Sequence, residues 1–218
     1  MDNNAQLNQE IPDMAVTQTE IAVQKLNDLI QLAYRLGAGE VGIVRGDDVP
    51  VEDHLANVCW EIRCGAYGLS PSCPPHVSGP SGFRELTKKA LHAVVIRIDI
   101  PSSVMFSNER KEVMELLHEI VSSVERAAIR MGYPESRAFA GGSCKEIFCS
   151  KHAACLVLSE QGECRNPQYA RPSMSGFGIN VLKLMQKAGI PVDKSPTPDQ
   201  AGYHEDAMSW VAGLVMVG

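Results

Sequence analysis

Hydrophobic positions change their period along this chain, and the changes predict four helices and four strands. Apolar residues recur every three or four positions in the predicted helices, which are 18–36, a helix that opens at Ser81, 108–131 and a helix that opens at Asn180. Short β-branched or apolar runs predict the strands 40–44, 93–98, 136–139 and 210–217. Helix and strand patterns alternate through most of the chain.

Local signals indicate where the helices begin and end. Thr17 and Glu20 have the spacing of a capping box, and Gly37 supplies a stop for the first helix. Gly132 closes the longest helix, and Asn180 is a suitable N-cap for the last one. A turn is predicted at 195–198, where two prolines alternate with Ser and Thr.

The alternation predicts a single α/β domain over residues 18–218. We expect a twisted, mostly parallel or mixed sheet flanked by helices, with two cysteine-rich metal-binding loops that follow strands. Residues 1–17 carry acidic side chains but no Lys or Arg and predict a flexible arm.

Composition and charge narrow the functional classes. With 218 residues, 44% hydrophobic and 21% charged, the chain is long enough for one domain with a full core. The net charge of −6 predicts that the protein does not bind nucleic acid. The chain contains no apolar run approaching about 18 residues, so no membrane span is predicted. An odd count of seven cysteines without a signal-peptide pattern predicts a cytoplasmic protein with reduced thiols, acting on small molecules or protein partners.

Four cysteines fall within 21 positions of the second cysteine region, Gly141–Met174. Their spacing is C-x4-C-x5-C-x8-C, in a stretch interrupted by Gly and Pro that lets several sulfurs converge. Iron-sulfur clusters and zinc both accept four thiolates, and structural zinc sites usually have paired C-x2-4-C knuckles, which are absent here. The spacing favours a cluster over zinc and leaves both open. The candidate ligands are Cys144, Cys149, Cys155 and Cys164.

Three more cysteines lie in the first cysteine region, 58–76, with the spacing C-x4-C-x8-C: Cys59, Cys64 and Cys73. Three thiolates would leave one iron of a cluster open to water, a substrate or another ligand, and His76 or His54 is a candidate for that ligand. The alternative is that these cysteines are buried small apolar residues.

Several neighbours of the cysteines are candidates for a supporting role. Arg165 and Arg171 would offset the negative charge of a cluster or hold an anionic substrate, or they are solvated side chains that flank a short turn. Gly141 and Gly142 predict a tight turn that brings backbone amides toward the cluster, where Ser143 is a further donor.

The cysteine regions also contain motifs that resemble the DUF2284 family of predicted metal-binding proteins. The motifs are CGAYG from Cys64, SCPP from Ser72, the four-cysteine stretch, CRNP from Cys164, ARPSM from Ala170 and GINV from Gly178. The resemblance runs from about Cys59 to the C-terminus. It implies a cysteine-rich, iron-sulfur-binding cytoplasmic protein of anaerobic-type metabolism with no settled activity. In the family's commoner pattern, the first cysteines of the second region are spaced more closely, nearer to C-x2-C-x2-C. Their spacing in this chain is wider.

These observations lead to one main hypothesis and its rivals. The four-cysteine region holds a 4Fe-4S cluster and the three-cysteine region a second, site-differentiated one, for electron transfer with a redox partner protein or redox catalysis on a small molecule. In another form of this hypothesis, the two cysteine regions together enclose a single cluster. The alternatives are a zinc-stabilised protein-interaction module without redox activity, and a metallochaperone.

Overall fold

The computed structural model describes residues 14–192 and 207–218, and it contains seven helices and four strands in these ranges. The helices are α1 (Met14–Arg35), α2 (Asp53–Glu61), α3 (Gly79–Thr87), α4 (Ser102–Met105), α5 (Arg110–Arg130), α6 (Cys144–Phe148) and α7 (Val181–Lys187). The strands are β1 (Glu40–Arg45), β2 (His92–Pro101), β3 (Arg137–Phe139) and β4 (Met208–Val217).

The four strands form one sheet in the order β1-β2-β4-β3, and every neighbouring pair is antiparallel. The prediction of a mostly parallel or mixed sheet is therefore wrong. Arg45 at the end of β1 pairs with His92 at the start of β2, so the long connection between them leaves and returns at the same end of the strands. A parallel pair would instead need a crossover to the opposite end of the strands.

Both faces of the sheet are covered, which explains why the strands read as continuous apolar runs. In β2, Val94 and Ile96 pack with α1 and α5 in one hydrophobic cluster. The alternate residues Ala93 and Val95 pack with α3 and α7 in the other. Runs of this kind are typical of parallel sheets, which are buried on both sides, and here they arise in an antiparallel sheet with two covered faces.

All eight predicted elements occur, with ends displaced by up to four residues. The largest displacement is at α1, which begins at Met14, so the capping-box prediction at Thr17 is wrong and 14–17 belong to the helix. The predicted cap at Asn180 is confirmed, because its side chain accepts a hydrogen bond from Lys183 N at 3.1 Å. Residues 1–13 and the predicted turn at 195–198 lie outside the described residues.

Three helices were not predicted, and two of them lie in the cysteine regions. Cys59 is on α2 and Cys144 is the first residue of α6, so these regions are partly helical. In the described ranges, no helix combines the length and apolar character that a membrane crossing requires.

Close packing of β4 against α5 gives a prediction about stability. A Cβ atom at Gly213 would overlap Val121 Cγ1 and would lie 3.2 Å from both Leu117 Cδ1 and Phe139 O. We expect Gly213→Ala to lower the free energy of unfolding in urea by about 1–3 kcal/mol, since overpacking a dense core is destabilising. The control is Gly65→Ala, because a Cβ at Gly65 meets no atom within 4 Å. Equal effects of the two substitutions would contradict this account of the packing.

Candidate metal centre

The seven cysteines divide between two cavities, and Cys59 and Cys64 also line a third cavity beside Trp60 and Tyr67. The four-cysteine cavity, of about 370 Å³, is lined by Cys144, Cys149, Cys155 and Cys164. The three-cysteine cavity, of about 360 Å³, is lined by Cys59, Cys64 and Cys73. All seven thiols are free. The structure thus groups the cysteines in the same two sets as their spacing in the sequence.

Sulfur atoms in these cavities are not arranged around a single ion. Across the described ranges, no group of three or more His, Cys, Asp or Glu side chains is placed to hold one metal ion. Four thiolates around zinc would each lie about 2.3 Å from the metal. The thiols here are instead distributed over the walls of cavities of several hundred Å³.

Short elements place the thiols of the four-cysteine cavity. Cys144 is buried at the start of α6 and Cys149 follows the end of that helix. Cys155 and Cys164 lie on the irregular chain that follows. Asn166 supports two of the sulfurs, because its backbone N donates to Cys164 Sγ and its side-chain Nδ2 to Cys149 Sγ, each at 3.4 Å.

The first cysteine region contributes part of the wall of the four-cysteine cavity, through Ser70 and Ser72. Burial raises the pKa of the Cys144 thiol, and the nearby thiols of Cys73 and Cys164 raise it further. The hydroxyl groups of Ser72 and Ser70 act on that pKa in the opposite direction. Ser72 and Cys73 are adjacent in the chain, as are Ser143 and Cys144, and each pair is divided between the two cavities, so the two cavities are neighbours.

The three-cysteine cavity is built in a complementary way, because Gly142 and Ser143 of the second cysteine region line it. Cys59 comes from α2, and burial, followed by the charges of Cys64 and Cys73, raises the pKa of its thiol. Much of the remaining wall is apolar: Leu55, Val58, Ile62, Ala66, Pro74 and Ile179.

Backbone hydrogen bonds join the two cysteine regions. Ala140 N, at the end of β3, donates to Pro172 O at 2.9 Å, and Met174 N donates back to Ala140 O at 3.0 Å. Between them, Ser173 N donates to Ser72 O at 2.9 Å. The short segment 172–174 thus connects the sheet to both cysteine regions and fixes the position of one region relative to the other.

Buried hydroxyl groups lie in the walls of both cavities. Ser70 lines the four-cysteine cavity, where its hydroxyl group acts on the Cys144 thiol, and Ser143 lines the three-cysteine cavity, where its Oγ has no hydrogen-bond partner within the described part of the chain. Buried polar groups are normally paired. The sulfur atoms of an iron-sulfur cluster accept hydrogen bonds, so the residues present fit such a group.

The structure does not place His76 or His54 at either cavity. His76 is exposed, and its Nε2 lies 3.2 Å from Gly68 O, within the first cysteine region. His54 is also exposed, with its Nε2 3.7 Å from Glu52 Oε2. Neither imidazole is among the residues that line the thiol-bearing cavities.

The two arginines of the second cysteine region have different environments. Arg165 is exposed, lines the four-cysteine cavity and donates to Ala154 O at 3.2 Å. Arg171 has a side chain only 11% exposed and forms an ion pair with the buried Glu125, with Nε donating to Glu125 Oε2 at 2.7 Å. The interpretation of Arg171 as a solvated side chain is wrong, because it anchors the second cysteine region to α5.

His118 contacts both ends of the second cysteine region, a role that no local pattern in the sequence indicates. Its Nδ1 lies 3.2 Å from Arg171 N and 3.3 Å from Tyr169 O, and its Nε2 lies 3.2 Å from Gly141 O. A neutral imidazole with the proton on Nε2 donates to Gly141 O and accepts from Arg171 N, whereas a hydrogen bond to Tyr169 O would need a proton on Nδ1. One fully buried side chain of α5 therefore holds the two ends of a 31-residue stretch, 141–171.

The sequence alone did not reveal three further residues that line the cavities. Ser70 is separated by more than 70 residues from the cysteines whose cavity it lines, and Arg110 and Glu146 line the three-cysteine cavity from α5 and α6. None belongs to a motif with a recognised ligand spacing. Only the folding of these segments together brings them to the thiols.

The cysteine-lined cavities define a candidate metal-binding protein, and comparison with known families agrees at that level. The profile of the DUF2284 family, described as predicted metal-binding protein, matches residues 42–216. The chain belongs to this family. The match includes all seven cysteines and extends further toward the N-terminus than the motifs that begin near Cys59. No curated protein and no solved structure matches the chain.

The buried ion pair gives a prediction that separates the two arginines. Arg171→Ala leaves the Glu125 carboxylate buried without its partner, and we expect it to lower the unfolding free energy by about 3–5 kcal/mol. Arg165→Ala, a change at an exposed position, should cost no more than about 0.5 kcal/mol. Urea unfolding of the reduced, metal-free protein measures both. A small loss in Arg171→Ala would contradict the anchoring role.

His118 gives a prediction about pH. Burial lowers the pKa of its imidazole, against the opposing effect of hydrogen bonds to Tyr169 O and Gly141 O, and the Arg171 charge lowers that pKa further. Below the ordinary pKa of about 6.5 the unfolded chain binds a proton that the folded state disfavours, so the stability due to His118 is present above that pH and decreases below it. We expect the difference in unfolding free energy between the wild type and His118→Gln to be largest at pH 8 and to shrink toward pH 5.

The control for this comparison is His76→Gln, which removes an exposed imidazole and should change the unfolding free energy by less than about 0.5 kcal/mol. A difference for His118→Gln that is constant between pH 8 and pH 5 would show that the neutral form of His118 does not contribute to folding as described.

Proposed function

We propose that this chain is an iron-sulfur protein with two metal centres, acting in electron transfer or in redox catalysis on a small molecule. Cys144, Cys149, Cys155 and Cys164 hold a 4Fe-4S cluster. The thiolates Cys59, Cys64 and Cys73 hold a second cluster with one metal position that no cysteine occupies. The observation that carries the proposal is the division of the seven thiols between two neighbouring cavities.

The size of the cavities supports clusters over single ions. A zinc ion with four thiolates leaves no free volume at the centre of its ligands, because each sulfur contacts the metal. The thiols here surround cavities of about 370 and 360 Å³. Such cavities suit a group that contains several metal and sulfide atoms.

The donors around the thiols support the same assignment. In the four-cysteine cavity, Asn166 donates to the sulfurs of Cys164 and Cys149, and the hydroxyl groups of Ser70 and Ser72 lie at the Cys144 thiol, whose pKa they lower. Hydrogen bonds to the sulfurs stabilise the added negative charge of a reduced cluster and so raise its reduction potential. The four-cysteine cavity thus provides donors suited to a centre that gains and loses an electron.

The shared wall suits electron transfer between the centres. The segment 70–73 contributes to both walls, because Ser70, Pro71 and Ser72 line the four-cysteine cavity and Cys73 lines the three-cysteine cavity. When bound, an iron-sulfur cluster supplies one-electron chemistry. The residues of the chain hold the two centres side by side and bury Cys73 and Cys144 away from water.

The three-cysteine cavity is where we place the reaction or the exchange with a partner. Its three thiolates leave one coordination position for a substrate, and the family assignment as metal-binding is consistent with this. Seven free thiols require a reducing compartment, so we propose that the protein functions in the cytoplasm with a redox partner protein.

Measurement of metal and acid-labile sulfide in protein purified without oxygen tests the proposal. We expect about eight iron and eight sulfide per chain, with a brown colour from broad absorption near 400 nm. Cys64→Ala and Cys149→Ala each remove a ligand from a different cavity. Each variant should lose about half of the iron and keep the signal of the other centre.

The iron, zinc and sulfide contents distinguish the alternatives. Loss of all iron in either single variant would overturn the two-centre assignment in favour of one shared cluster. A colourless protein with about one zinc and no sulfide would overturn the iron-sulfur assignment and support a zinc-stabilised interaction module.

A further inference from the structure

We propose that the three-cysteine cavity binds a small organic carboxylate, with the carboxylate group paired to Arg110 and the apolar part of the molecule along the cavity wall. This inference names the class of substrate for the second centre and in that respect rests on the proposed function. It goes beyond the sequence, which pointed to Arg165 and Arg171 as candidate anion-binding residues.

Arg110 is the charged donor available at this cavity. It is the first residue of α5, it is exposed and it lines the three-cysteine cavity. In the described ranges, its guanidinium forms no ion pair and no hydrogen bond, whereas Arg171 is fully engaged with Glu125 and with backbone carbonyl groups. A guanidinium without a partner at the mouth of a cavity presents the fork of donors that a carboxylate accepts in bidentate fashion.

A second donor lines the same cavity from inside. Ser143 is 2% exposed, and its Oγ has no hydrogen-bond partner among the described residues. Ser173 and Ser175, which also carry hydroxyl groups, line the same cavity. A ligand that enters past Arg110 therefore meets hydroxyl groups as well as the thiols, and it satisfies a buried polar group that is otherwise unpaired.

The walls determine which kind of anion fits. Leu55, Val58, Ile62 and Ile179 form an apolar surface that favours a molecule with a hydrocarbon part. Glu146 lines the same cavity, and its carboxylate disfavours an anion with more than one charge. One free guanidinium, one carboxylate and an apolar wall together suit a short monocarboxylate better than a phosphate.

Ligand-observed NMR on the anaerobically purified protein tests this inference, with hexanoate as the probe. Its controls are hexanamide, which has nearly the same shape without the charge, and inorganic phosphate. We expect hexanoate to bind at least about 10-fold more tightly than hexanamide, as typical for a hydrogen-bonded charge pair, and phosphate to bind more weakly than hexanoate. Addition of hexanoate should also change the electron paramagnetic resonance spectrum of the reduced second centre.

Variants assign the effect to Arg110. Arg110→Gln should reduce hexanoate affinity to that of hexanamide, and Arg110→Lys should retain part of the preference. The matched control is Arg130→Gln, at the other end of the same helix and also exposed, which should bind hexanoate as the wild type does. Iron and sulfide content is measured for each variant, so that a loss of affinity is not confused with a loss of the centres.

The results separate this inference from the proposed function. Equal binding of hexanoate and hexanamide, stronger binding of phosphate, or an unchanged preference in Arg110→Gln would overturn the carboxylate site. Selective binding that depends on Arg110 in a protein without iron would support the anion site and overturn the iron-sulfur assignment instead.

Discussion

The buried ion pair between Arg171 and Glu125 is the interaction on which the rest of the site depends. Glu125 comes from α5 and also accepts a hydrogen bond from Ala138 N in β3, at 2.7 Å. A charge pair in the interior is favourable only when its remaining hydrogen bonds are made, and here they are made by the sheet and by backbone carbonyl groups. The pair therefore joins the longest helix, a strand and the end of the second cysteine region, and His118 adds a second attachment at Gly141 and Arg171.

From this anchor, the segment 172–174 extends to Ser72 and brings the first cysteine region beside the second. Each region then contributes to the wall of the other region's cavity: Ser70 and Ser72 line the four-cysteine cavity, and Gly142 and Ser143 line the three-cysteine cavity. Two cavities built in this way are not independent modules, because a change in one region would alter the walls of both.

The three-cysteine cavity differs from its neighbour in ways that bear on function. The four-cysteine cavity provides a complete set of thiolates, with backbone and side-chain donors on two of them. The three-cysteine cavity lacks a fourth cysteine and has instead apolar side chains, Arg110 and Glu146. In the function that we propose, the four-cysteine centre stores an electron and a substrate reaches the incomplete centre beside it.

The sequence by itself determined eight of the eleven helices and strands in the described part of the chain and the grouping of the thiols, because periodicity, Asn180 as a cap and cysteine spacing are local properties. It did not determine the direction of the strands: apolar runs such as 93–96 report burial on both faces, which parallel and antiparallel sheets can share. It also missed the role of His118 and the places of Ser70 and Arg110. Those depend on contacts between residues far apart in the chain, and no local pattern encodes such contacts, so only the tertiary structure decided them.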